Sequence, residues 1–207
     1  MQQAADIRYT RTAILLHWLI ALMIVGMMAA GIWMTGAIKE KQTQAAAFEV
    51  YQLHKSFGIV ILALSLLRLG WRVTHKQPGM PEEMPAWERT AAHITHWLFY
   101  GLMIVLPVTG WLMVSASPLG LPTMFFGFAE VPHMGALAGL DHAGKELWEA
   151  RFEKMHEFIA FGGIGLLLLH VGAALKHHLI VRDDTLVRML PFLKVLKSNN
   201  KNEKTNV

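Results

Sequence analysis

Cysteine is absent from this 207-residue chain. Its absence excludes disulfides, thiolate metal sites, iron–sulfur clusters and the thioether attachment of a c-type haem. Charge is scarce as well: 16% of residues are Asp, Glu, Lys or Arg, where a soluble domain carries about 25%. The charges sit in short clusters separated by long apolar stretches, the pattern of a chain solvated by lipid. No G-x-G-x-x-G fingerprint occurs, which argues against direct oxidation of a nicotinamide. There is no repeat and no low-complexity segment. Residues 1–10 are polar and the first apolar run is too long for an h-region, so no cleavable signal peptide is expected. The net charge of +4 does not imply nucleic acid, because membrane chains collect Lys and Arg in their cytoplasmic segments.

The chain is 54% hydrophobic, and the apolar residues fall into four spans, about 13–34, 53–71, 93–114 and 156–178. A hydrocarbon core of about 30 Å needs roughly 20 apolar residues as helix. Spanning segments in lipid are helices or closed-barrel strands, and barrel strands alternate over about 10 residues. These runs are longer and apolar all round. The expectation is therefore an all-α, single membrane domain over residues 1–207, a four-helix transmembrane bundle with Pro107 kinking its third helix. Arg8 and Arg11, then Arg68, Arg72, Lys76 and Arg89, then Lys176, Arg182, Arg188, Lys194 and Lys197 fall on one side. That places both termini on the cytoplasmic side. The long outer loop 115–155 is expected to lie on the opposite surface with short helices, and the polar tail 194–207 to fray.

Eleven histidines remain to be explained. Ionisable groups inside a membrane are rare and usually functional. His17, His96 and His170 fall within spans; His54, His93 and His156 fall at span edges. His156 and His170 are 14 residues apart, so about 21 Å along one helix and only about 40° apart around it. His17 matches His170 in depth, and His54 matches His156. Two facing imidazoles at each of two depths make two axial-ligand sites for haem iron. Gly58, Gly162, Gly163, Gly165 and Gly172 would let a flat macrocycle approach the backbone, with Phe57, Phe158, Phe161 and Trp18 lining its faces. His96 rivals His17 and His170 in depth, and depth alone does not exclude it. His177 and His178 are expected to snorkel to the inner surface beside Lys176.

Several motifs in order carry a resemblance: His17-Trp18 in the first span, Leu53-His54-Lys55-Ser56-Phe57-Gly58, and Arg68-Leu69-Gly70-Trp71-Arg72. Met155-His156-Glu157, His170, Lys176-His177-His178 and Asp183-Asp184-Thr185-Leu186-Val187-Arg188-Met189 follow. From Tyr9 to Pro191 the chain resembles the bacterial cytochrome b-561 family, whose fold is also that of the b-type subunit of membrane hydrogenases. The resemblance implies two non-covalent haem b groups and electron exchange with quinone. It also implies iron ligands on the first, second and fourth spans: His17 with His170 and His54 with His156, which leaves His96 out. The leading reading is a diheme electron carrier, or quinone-linked oxidoreductase, between a donor and the quinone pool. A superoxide oxidase that reduces ubiquinone is one alternative, and a membrane anchor for a docked soluble redox partner is another. A histidine proton-relay transporter is a weak third, because four helices without a repeat do not resemble one.

The Lys and Arg bias yields a direct test. A reporter active only in the periplasm should be silent when fused after Lys197 and active when inserted within residues 135–139. The reverse pattern would invert the topology.

Overall fold

The structure, a computed structural model, describes residues 8–81 and 83–195. Most of the expected polar tail, 196–207, lies outside them. Four long helices organise the chain: α1 (Arg11–Ala37), α2 (Gln44–Thr74), α3 (Ala86–Ala116) and α5 (His142–Lys176). All four are long and apolar enough to cross a bilayer, and together they form a four-helix bundle. Between α3 and α5 lie a two-stranded hairpin, β1 (Thr123–Phe125) with β2 (Ala129–Val131), and the short α4 (Gly135–Ala138). Consecutive long helices alternate in direction. One end of the bundle therefore carries residues 8–10 and 182–195, here the terminal end, and the other carries the hairpin, here the hairpin end.

The helices begin where the backbone donors find partners. Thr10 caps α1, its hydroxyl accepting from the Ala13 N–H at 3.2 Å, and also accepts from Trp71 Nε1 at 2.9 Å. Asp141 caps α5 through the Gly144 N–H at 2.9 Å. That cap corrects one boundary. The fourth helix starts 14 residues before His156, so the last third of the expected outer loop is helical. At about 1.5 Å per residue α5 is roughly 52 Å long, well beyond a hydrocarbon core. Pro107 lies inside an unbroken α3.

The bundle is built from two pairs, α1 on α2 and α3 on α5, joined by α2 against α3. Among the described residues α1 and α5 share no extensive contact, so their facing surfaces line a cleft. The packed centre is small: Ile20, Tyr100 and Met103, with Ile24, Leu64, Leu69 and Phe99 around them. Small polar residues, Ser56, Ser65, Thr109 and Ser115, are buried at the helix contacts, as expected where close backbone approach drives association in lipid.

At the hairpin end, the Ser56 hydroxyl faces the Gln52 and Met124 carbonyls at 3.0 and 3.1 Å and accepts the Phe126 N–H at 2.9 Å. The turn at Phe126 and Gly127 has positive φ at both residues, 48° and 77°. Glycine adopts this region freely and phenylalanine does not. The Ser56 bond and the edge-on contact of Phe126 with Phe57, 5.1 Å between centroids, offset that strain. Sequence patterning did not reveal this hairpin, because each strand is only three residues long.

At the terminal end, His177 corrects a second expectation. It does not snorkel: it is 7% exposed, with Nε2 3.0 Å from Glu88 Oε2 and Nδ1 2.6 Å from Asp183 Oδ2. Lys176 Nζ reaches Glu88 Oε1 at 2.6 Å. Segment 183–189 is thereby tied to α3 and α5, and Trp18 Nε1 holds it to α1 through the Met189 carbonyl at 2.8 Å. Burial raises the Asp183 pKa, but the hydrogen bonds from the Thr185 N–H and from His177 prevail and hold it below the usual carboxylate value. The stabilisation is present above the ordinary aspartate range and is lost as pH falls through the lowered value.

His177→Ala leaves Glu88 and Asp183 without the side chain between them and should destabilise the terminal end. In detergent the unfolding midpoint should fall and tryptic cleavage after Arg182 should accelerate. An unchanged midpoint with unchanged cleavage would show that the clamp does not hold the segment.

Candidate functional site

The cleft brings the expected histidines together in two pairs. His17 on α1 faces His170 on α5 with ring centroids 6.3 Å apart and planes at 66°. His54 on α2 faces His156 on α5 at 6.3 Å and 64°. A metal–imidazole bond is about 2.0 Å, and roughly 1.1 Å more separates that nitrogen from the ring centre. Two imidazoles on one metal therefore have centres about 6.2 Å apart. Both pairs meet that spacing. Among the described residues no group of three or more His, Cys, Asp or Glu side chains is arranged to hold a bare metal ion. A pair of imidazoles at each site would suit a metal whose remaining ligands come with a prosthetic group.

The hairpin-end pair is positioned from α3. His156 Nδ1 lies 3.1 Å from the Leu106 carbonyl and 3.0 Å from Thr109 Oγ1. A carbonyl only accepts, so Nδ1 carries the proton and the Nε2 lone pair is free to ligate. Such a hydrogen bond on the far nitrogen is the usual means of orienting a ligating imidazole. Gly110 makes room for it: a Cβ there would lie 3.3 Å from His156 Cε1. On the opposite wall a Gly31 Cβ would lie 3.6 Å from His54 Cε1. His54 Nδ1 is buried without a hydrogen-bond partner, a state that costs about 1–3 kcal/mol in a purely structural residue. Beside it lies an apolar cavity of about 500 Å³ whose α1 wall is Leu22, Met23, Gly26, Met27 and Ala30. Small residues there let a flat aromatic group touch backbone.

The terminal-end pair is more crowded. His96 on α3 lies 5.8 Å from His170, and Phe99 packs edge-on against His170 at 5.3 Å. His96 thus lies beside this pair, as its depth allowed. His93 is exposed. Of the expected lining residues, Phe158 faces away from the hairpin-end pair. Phe158 and Phe161 are 80% and 59% exposed, and helix geometry turns Phe158 about 200° away from His156. Gly163 makes room for Leu102 of α3 at 2.8 Å, Gly58 meets only Met27, and Gly162, Gly165 and Gly172 meet nothing within 4 Å. Thr109 and Gly110 are the residues that sequence reading missed. Nothing in a linear pattern links them to a histidine 47 and 46 residues later.

The chain is similar to known proteins over most of its length. Residues 8–192 match the family model described as prokaryotic cytochrome b561. The chain is 34% identical over 185 residues to cytochrome b561 homolog 2 of Escherichia coli (strain K12), covering 88% of this chain and 91% of that one. It is 29% identical over 184 residues to cytochrome b561 homolog 1 of the same organism, covering 89% and 97%. A protein named probable superoxide oxidase CybB of Yersinia pestis is 26% identical over 184 residues, covering 89% and 96%.

Gly110→Val pushes branched methyls into the His156 ring and should lower the haem bound per chain. Gly101→Val, at a position where a Cβ meets nothing within 4 Å, is the matched control and should retain haem. Equal haem content in the two variants would mean that Gly110 does not position His156.

Proposed function

Because the chain belongs to the prokaryotic cytochrome b561 family, a group of membrane b-type cytochromes, we propose that it is a diheme electron carrier of the bacterial inner membrane. It passes electrons between a donor and the quinone pool, with both termini cytoplasmic. The observation that carries this reading is the pair of imidazole couples, each at 6.3 Å. Bound haem b supplies one-electron ferric/ferrous chemistry. His17 and His170 hold one group, and His54 and His156 hold the other. The repeated 6.3 Å spacing favours these four residues, and His96, 5.8 Å from His170 at a similar ring angle of 70°, serves as a neighbour to the first site.

Residues of this chain set the conditions for transfer. α5 carries a ligand of each pair, 14 residues or about 21 Å apart, so a single rigid element fixes the separation of the sites. Leu106 and Thr109 hold the proton on His156 Nδ1, which keeps Nε2 directed into the cleft. A lipid-soluble quinone is the simplest acceptor for a chain without cysteine or a nucleotide fingerprint. The name of the Yersinia pestis relative favours a second reading, oxidation of superoxide at the hairpin end with reduction of ubiquinone. Lys39, Lys41, Lys55, Arg151 and Lys154 would attract that anion, while Glu130, Asp141, Glu146, Glu149 and Glu153 oppose it. A docked soluble redox partner is the remaining donor class.

Extractable haem should approach two per chain. His17→Ala and His170→Ala should lose the same haem, and His54→Ala and His156→Ala the other. After chemical reduction and removal of the reductant, a ubiquinone analogue should reoxidise both haems without oxygen. A haem content of one or zero would overturn the diheme reading. Haems that stay reduced with every quinone tried would overturn the quinone link.

A further inference from the structure

Two cations occupy the terminal-end pair's surroundings with no carboxylate to neutralise them. Arg68 and Arg72 are one turn apart on α2, on the same face, and both are half-buried. Among the described residues neither forms an ion pair with Asp or Glu. The clamp carboxylates Glu88, Asp183 and Asp184 bind Lys176, His177 and Arg188 instead. Arg68 makes one weak hydrogen bond, from a terminal nitrogen to the Ala13 carbonyl at 3.4 Å. Ala13 is one turn of α1 from His17, on the same face. Arg72 lies over the rings of Trp97 and Tyr100, 5.7 and 5.6 Å from their centroids, beside His96 on α3. The rings hold the guanidinium in place and use none of its N–H donors.

A guanidinium at the edge of a hydrocarbon layer is costly without a counter-charge, and its planar donors match carboxylates in bidentate fashion. Among the described residues no side chain in the cleft supplies that carboxylate. A haem b does, because it carries two propionates. We propose that Arg68 and Arg72 form a carboxylate clamp for the propionates of the haem held by His17 and His170, fixing its rotation about the iron–imidazole axis and directing its acidic edge toward α2 at the terminal end. The proposal rests on the assignment of that histidine pair. The hairpin-end pair has no equivalent on α2: four residues from His54 stand Val50 and Gly58, and its nearest α2 cation, Lys55, donates to the Pro122 carbonyl at 3.3 Å. Carboxylate recognition is thus a property of one site, and it sets the two haems electrostatically apart.

The test compares haem with its dimethyl ester, in which both carboxylates are neutral. His156→Ala membranes from haem-starved cells, which retain only the His17–His170 pair, are titrated with each, and the bis-imidazole absorbance is read. Haem should bind about 10- to 100-fold more tightly than the ester, as expected for one or two charge-assisted contacts. In the Arg68→Leu/Arg72→Leu double variant the preference should vanish, and Arg68→Lys should restore part of it. Equal binding of haem and ester without the arginine substitutions would overturn the clamp and assign the arginines to lipid phosphate; this arm does not depend on whether the double variant folds. A double variant that still prefers haem would also overturn it. Binding of neither compound would instead remove the histidine assignment on which the clamp stands.

Discussion

An imidazole inside a hydrocarbon layer has no water to bond, so each ring nitrogen must be met by a protein group or a ligand. The four histidines of the cleft impose that requirement on the whole bundle. It explains why α1 and α5 face each other without packing tightly, and why α3 presents a glycine and a threonine to His156 rather than larger apolar side chains. It also explains why α5 carries a member of each pair. Two couples spaced for one metal apiece can be held only if the helices bearing them keep their relative rotation and depth.

Interactions at the two ends maintain that alignment. Within the spans few residues are fully buried, because lipid tails are as apolar as leucine and helices gain little by hiding from them. The directional bonds lie where lipid meets water. Ser56 fastens the hairpin to α2, and Trp111 and Ser115 fasten the following loop to α3 through Pro132 and Met134. At the other end the Glu88–His177–Asp183 clamp and the Trp18–Met189 bond close a ring across α1, α3 and α5. Each pair of imidazoles is thus set by a network beyond it.

The ends also differ in charge, and that difference bears on function. The terminal end places two guanidinium groups beside its histidines, whereas the hairpin end meets its pair with neutral donors and acceptors. Under the proposed diheme reading, the two groups sit in unlike fields and do not share one potential, since nearby cations favour the more negative, reduced form of a bound anion.

The membrane architecture was legible in the sequence, because four runs of about 20 apolar residues admit few other structures and their periodicity places histidines by depth. Helix rise, which is linear in residue number, matched His17 with His170 and His54 with His156 in depth, but it left His96 open, and only the family resemblance set His96 aside. The start of α5, the β-hairpin and the buried clamp at His177 did not follow. The first depends on a cap at Asp141 within a polar stretch, the second on strands too short to show a period, and the third on carboxylates 89 and 6 residues away from His177. Depth comes from one helix at a time and can be read from one segment at a time. Which residue touches His156 from α3, and which carboxylates enclose His177, are decided by the rotation of one helix against another, and only the packed bundle determines that.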